Sequence, residues 1–191
     1  MSGMKLTVHS SRPPSRYAGC RRLNSSVRLM TVADDPIVIA RKERFSAHFP
    51  DTDDLALITL KGHLLVEEIL DDIIIHHCKK PSVLSGVRIG FQLKAQIAHA
   101  LVGDSLPHQV WPMVDALRVL RNELAHKLDS PKLEQVVSKF VAVTFGMIGQ
   151  PDAHASVAQN LKMSMGYMYG YLAAYEYRVR TGNLPPKLVE A

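Results

Sequence analysis

The stretch "LRVLRNELAHKLDSP", residues 117–131, decides how this chain is read. Leu117, Leu120, Leu124 and Leu128 recur at intervals of three and four, which in a helix puts them on one side. Val110, Met113 and Val114 extend the same stripe upstream. Opposite lie Arg118, Asn122 and His126, spaced by four and therefore stacked in one line. Arg121 sits at the edge of the apolar stripe, roughly 140° around and about 7.5 Å along the axis from His126. Two readings compete. One is a solvated face, with Glu123 and Lys127 as i,i+4 partners contributing about 0.2–0.5 kcal/mol. The other is a phosphate site, in which a guanidinium fork meets phosphate oxygens and an imidazole moves protons near neutral pH.

Outward from this helix the pattern is helical almost throughout. "PIVIARKERFSAHF" opens with Pro36 at a first-turn position, and "PDTDD" offers caps for "LALITLKGHLLVEEILDDIIIHHC". In that long segment Leu57, Leu60, Leu64, Ile69 and Ile73 read as the buried stripe. After Pro81, "SVLSGVRIGFQLKAQIAHALVG" carries Val87, Phe91, Lys94, Ile97 and Leu101 and stops at Gly103. The motif helix is expected from about Pro107 to Leu128, with Pro112 disturbing its first turns. Ser130-Pro131 is expected to cap "KLEQVVSKFVAVTFGMI", whose β-branched "FVAVTF" sits within a helical period. Asp152 is expected to cap a last helix ending near Arg180, before Gly182. The sequence therefore predicts an all-α bundle of five or six helices over residues 35–181, with a short tail at 182–191.

Composition narrows the function classes. Hydrophobic residues make up 47% and charged residues 21% of 191, as in a globular domain. No apolar run approaches the roughly 20 residues of a membrane helix, so no membrane partner is expected. Cys20 and Cys78 form no metal spacing and no disulfide framework, a usage that fits a reducing cytoplasm. The net charge of +5 resides in the first 29 residues, which hold Lys5, Arg12, Arg16, Arg21, Arg22 and Arg28 and no acid. Without those six, 17 basic residues face 18 acids, so the body is near neutral. The basic leader, residues 1–34, is open to three readings: a transit peptide, a disordered tail, or an upstream extension of a chain that starts at Met30.

The hexamer "RNELAH" at the end of an amphipathic helix resembles the Arg-x4-6-His signature of the HEPN superfamily, in which the residue after the arginine is often Asn, as at Asn122. "HLLVEEILDDII", residues 63–74, resembles the family's long second helix. "FQLKAQIAHAL", residues 91–101, resembles the helix preceding the motif, and the helix order is similar to the mannitol operon repressor branch. The resemblance covers about residues 53–130. It implies a HEPN-like bundle that forms a homodimer, with two motif helices facing one cleft, and a metal-independent endoribonuclease of the toxin or defence type. Carried over, His126 is the general acid/base and Arg121 the phosphate clamp, with Asn122 holding the ring or the phosphate. The products would end in a 2′,3′-cyclic phosphate. Two alternatives stay open: a non-catalytic regulator similar to the mannitol repressor, working through protein contacts, and a nucleotide-binding accessory module. The partners implied are RNA or a nucleotide, and an antitoxin or regulatory protein. No cofactor or metal is expected.

Secondary candidates follow. Glu67 or Glu68 orients Arg121 in this resemblance, or else both belong to an exposed acidic face with Asp71 and Asp72; Arg118 is a further supporting cation. His63 is one turn before Glu67, where an i,i+4 hydrogen bond explains it. His76, His77 and Cys78 splay by about 100° per residue and read as a helix terminus rather than a metal site. "NLKMSMGYMYGYLAAYEYRVR" is apolar on every side and calls for burial; a base-stacking platform is the sharper alternative.

Overall fold

The computed structural model describes residues 35–107, 109–126, 132–151 and 154–182, with His126 and Met147 described by backbone alone. The chain over these residues is all-α. Six helices run in order: α1 (Pro36–His48), α2 (Leu55–His77), α3 (Phe91–Val102), α4 (Val110–His126), α5 (Leu133–Ile148) and α6 (Val157–Thr181). Short 3-10 turns at Pro81–Leu84 and Gly103–Ser105 flank α3. No strand occurs among the described residues, and "FVAVTF" lies within α5. None of these helices is long and apolar enough to cross a membrane.

The helix ends follow from local chemistry. Asp35 caps α1 by accepting from the Ile37 amide, with Pro36 in the first turn. Asp54 caps α2 through the Ala56 and Leu57 amides. Pro112 falls in the first turn of α4, where a missing N–H leaves no intrahelical bond unmade, so the helix runs through it. Helix α6 starts one turn later than the Asp152 expectation. Its cap is a reciprocal box in which Ser156 accepts from the Gln159 amide and the Gln159 side chain accepts from the Ser156 amide. Gly182, at φ +73°, closes that helix. Asp152, Ser130 and Pro131 lie outside the described residues, as do the leader and residues 183–191. Helix α3 begins at Phe91 rather than near Ser82, because Ser85–Gly90 follow the 3-10 turn in non-helical backbone.

Helix α2 is the axis of the bundle and packs on α6, α3 and α4, while α5 closes against α4 and α6. Its buried stripe is Ile58, Leu65, Val66, Ile69, Leu70, Ile73 and Ile74. That corrects the expected stripe in its first half: Leu57, Leu60 and Leu64 are exposed, whereas Ile69 and Ile73 are buried. Val87 and Leu101 are exposed likewise, and α3 buries Ala98 and Val102 instead. On α4 the expected face is the observed one from Val110 to Leu120. Helices α2 and α6 run parallel, because Gly62 meets Met165 at one end and His77 meets Tyr175 at the other. His77 Nδ1 donates to the Ile73 carbonyl (2.8 Å), leaving Nε2 to accept from the Tyr175 hydroxyl (3.2 Å).

A buried ion network ties α1 to both partners. Glu176, with 0% exposure, accepts from Arg41 Nε at 3.3 Å and lies 3.3 Å from His76 Nδ1. Arg41 also bridges to Asp72. Burial works against the Arg41 charge, but the hydrogen bonds to Asp72 and Glu176 outweigh it and hold the guanidinium above its usual range. His76 is thus a partner of Glu176 as well as a helix-end imidazole.

Two stability experiments follow. Arg41→Met leaves Glu176 without its guanidinium and should cost about 3–5 kcal/mol in urea unfolding, the scale for breaking a buried pair. A Cβ at Gly62 would stand 2.7 Å from Met165 Sδ. Gly62→Ala should therefore cost about 1–3 kcal/mol, and its cost should shrink when measured in a Met165→Ala background. Strictly additive costs in this double-mutant cycle would contradict the close approach.

Candidate functional site

Three helices converge on one cleft of about 500 Å³. Helix α2 supplies His63 and Glu67, the start of α3 supplies Gly90, Phe91, Gln92, Leu93 and Gln96, and the last turns of α4 supply Arg118, Arg121 and Asn122. The amphipathic register of α4 explains its share. With Met113, Val114, Leu117 and Leu120 turned into the core, Arg118, Arg121 and Asn122 fall toward the edge shared with α3. Helices α3 and α4 run antiparallel: His99 stacks on Trp111 (4.5 Å between ring centroids), while Gln92 shares the cleft with Arg121 and Asn122.

The electrostatics of the cleft are mostly settled internally. Lys94 Nζ donates to Glu67 Oε1 at 2.9 Å and to Asp71 Oδ2 at 2.7 Å. Burial disfavours the ammonium, yet these two carboxylates hold it above its usual range. Arg118 Nε donates to Asp115 at 2.8 Å. Arg121 is exposed and makes no ion pair among the described residues. The start of α3 adds partial positive charge, since Gly90 caps it with no side-chain acceptor and residues of its first turn line the cleft.

The expected residues are thereby sorted. Arg121, Asn122, Arg118 and Glu67 share the cleft. Neither candidate carboxylate orients Arg121, a correction to the expectation for both: Glu67 is held by Lys94, and Glu68 turns to α1, where its Oε2 accepts from Arg44 Nη2 at 2.8 Å. The split is geometric, because adjacent helix residues point about 100° apart. His126 ends α4, and its side chain lies outside the described residues. Among the described residues no cluster of three His, Cys, Asp or Glu is placed to hold a metal ion.

His63 is the residue that spacing alone undervalued. Its Nδ1 is 3.9 Å from Glu67 Oε2, beyond a hydrogen bond but within ion-pair range, and its ring packs on Phe91 at 4.1 Å between centroids. Burial pushes the imidazole below its ordinary range; Glu67 pulls it back up, and Arg121 and Lys94 push it down again. Only packing of α3 across α2 could expose this. The signal available in the sequence was a histidine one turn before a glutamate.

Comparison with protein-family models, with curated proteins and with solved structures finds no match for this chain.

The depressed His63 has a thermodynamic consequence. A folded state that prefers neutral imidazole is favoured above the unfolded value near pH 6.5, and it loses that advantage as pH falls below it. His63→Phe should therefore show a smaller drop in Tm between pH 7.5 and pH 5.5 than the parent chain. Equal drops would mean that His63 is not held neutral.

Proposed function

We propose that this protein is a HEPN-like, metal-independent endoribonuclease acting through Arg121 and His126 in a homodimer. The observation that carries the reading is the meeting in one cleft of Arg121, which makes no ion pair among the described residues, with Asn122 and the start of α3, which has no side-chain cap. Guanidinium fork, amide donor and helix N-terminus are three independent ways to hold phosphate oxygens. In-line cleavage then needs proton transfer at two atoms. A neutral imidazole takes the proton of the ribose 2′-hydroxyl as its oxygen attacks phosphorus. The P–O5′ bond breaks, and a protonated imidazole gives its proton to the departing 5′-oxygen. The products are a 2′,3′-cyclic phosphate and a 5′-hydroxyl. Arg121 steadies the charge on the non-bridging oxygens. His126 is the proton carrier that the motif supplies, and His63, buried beside Glu67, is a second imidazole of the same chain.

The near-neutral body favours a second reading, a non-catalytic regulator or nucleotide-binding module that keeps the cleft for binding alone. An RNA channel ordinarily gathers more Lys and Arg than this.

Incubating total RNA with the full chain in EDTA separates the two. Cleavage should leave 2′,3′-cyclic phosphate ends, and Arg121→Ala should lower the rate about 10²–10³-fold. His126→Ala and Asn122→Ala should fall with it. No cleavage by the parent, together with capture of one stoichiometric protein partner, would move the assignment to the regulator. Equal cleavage by all variants would mark a contaminating nuclease.

A further inference from the structure

A second cavity of about 500 Å³ lies on a different face, in the groove between α1 and α6. These helices run antiparallel, pinned where the Tyr177 hydroxyl donates to Asp35 (3.0 Å), where the Tyr169 hydroxyl donates to the Arg41 carbonyl (3.3 Å), and where Phe45 tilts on Tyr169 (4.7 Å). Ile37, Val38 and Phe45 form one wall, and Ala173 and Ala174 belong to the other. Helix α1 buries no residue fully, so its inner face lies open along this groove.

Gly170 lies on the α6 wall of the groove, where an added Cβ would meet nothing within 4 Å, as at Gly146 and Gly166 elsewhere. What sets the groove apart is its charge, which is one-sided. Arg41 is neutralised by Asp72 and Glu176, no acidic side chain lines the groove, and Lys42 and Arg178, both exposed, make no ion pair among the described residues. Both tyrosine hydroxyls are already engaged, which leaves little to read the polar edges of a sugar or a base.

We propose that this groove is a binding site for an amphiphilic carboxylate, an aliphatic chain lying along Val38, Phe45 and Ala173 with its head toward Lys42 or Arg178. The apolar wall removes the chain from water, and the two cations favour an anionic head over a neutral or positive one. The site is independent of the Arg121 cleft, with which it shares no residue.

Calorimetric titration of the full chain tests this with three ten-carbon probes below their micellar concentrations: decanoate, decan-1-ol and decyltrimethylammonium. Decanoate should saturate one site and bind at least tenfold tighter than either of the others. Gly170→Leu, whose Cβ enters open space and whose longer side chain reaches into the groove, should abolish binding while Tm holds or rises. Lys42→Ser with Arg178→Ser should bring decanoate down to the level of decan-1-ol. Equal affinity for the cationic and anionic probes would overturn the proposal, as would undiminished decanoate binding by Gly170→Leu. No decanoate binding, with Gly170→Leu converting a dimer into a monomer in light scattering, would assign the groove to a second copy and overturn it too.

Discussion

The Glu176 carboxylate is the constraint around which the bundle is arranged. A carboxylate with no exposure needs nearby donors and cations: Arg41 from α1 donates to its Oε2, while His76 from α2 and Arg180 from α6 itself approach Oε1 at 3.3 and 3.9 Å without a hydrogen bond. The network helps fix the rotation of α1, a helix with no fully buried residue, together with the packing of Phe45 on Tyr169. With α1 in place, Arg44 reaches Glu68, which helix geometry already turns about 100° from Glu67. Glu67 is left for Lys94, and that pairing docks α3 beside His63. The two neighbouring glutamates of α2 thus serve different helices, Glu68 on the α1 side and Glu67 on the side of the Arg121 cleft.

Within the near-neutral body, acids and bases are also paired locally. Acids and bases cancel one another pair by pair along α2, with Arg41 on Asp72, Arg44 on Glu68 and Lys94 on Glu67 and Asp71. Among the described residues, the cations that line the two clefts without an ion pair are Arg121 in one and Lys42 and Arg178 in the other. Net charge averages over such sites and hides them.

Legibility in the sequence followed the range of the forces involved. The all-α class, the core face of α4 from Val110 to Leu120 and the end of α6 at Gly182 rest on periodicity and caps, which act within a turn or two. The buried stripe of α2 was half misread, since a helix with leucine or isoleucine on most faces offers several plausible stripes. Its partners decide among them, and one partner, α6, lies a hundred positions away. Arg121, Asn122 and Arg118 were legible as a polar edge. The roles of Glu67, Glu68 and His63 were not, because adjacent glutamates differ only in which neighbouring helix each one meets.

The parallel pairing of α2 with α6 also bears on how the chain is made. About 100 residues separate Gly62 from Met165, and at roughly 5–20 residues per second a ribosome needs about 5–20 s to add them. Through that interval Ile58, Ile69 and Ile73 have emerged while the helix that covers them has not. The nascent chain carries an oily strip without its lid, which is the kind of surface that chaperones hold and that proteases sample first.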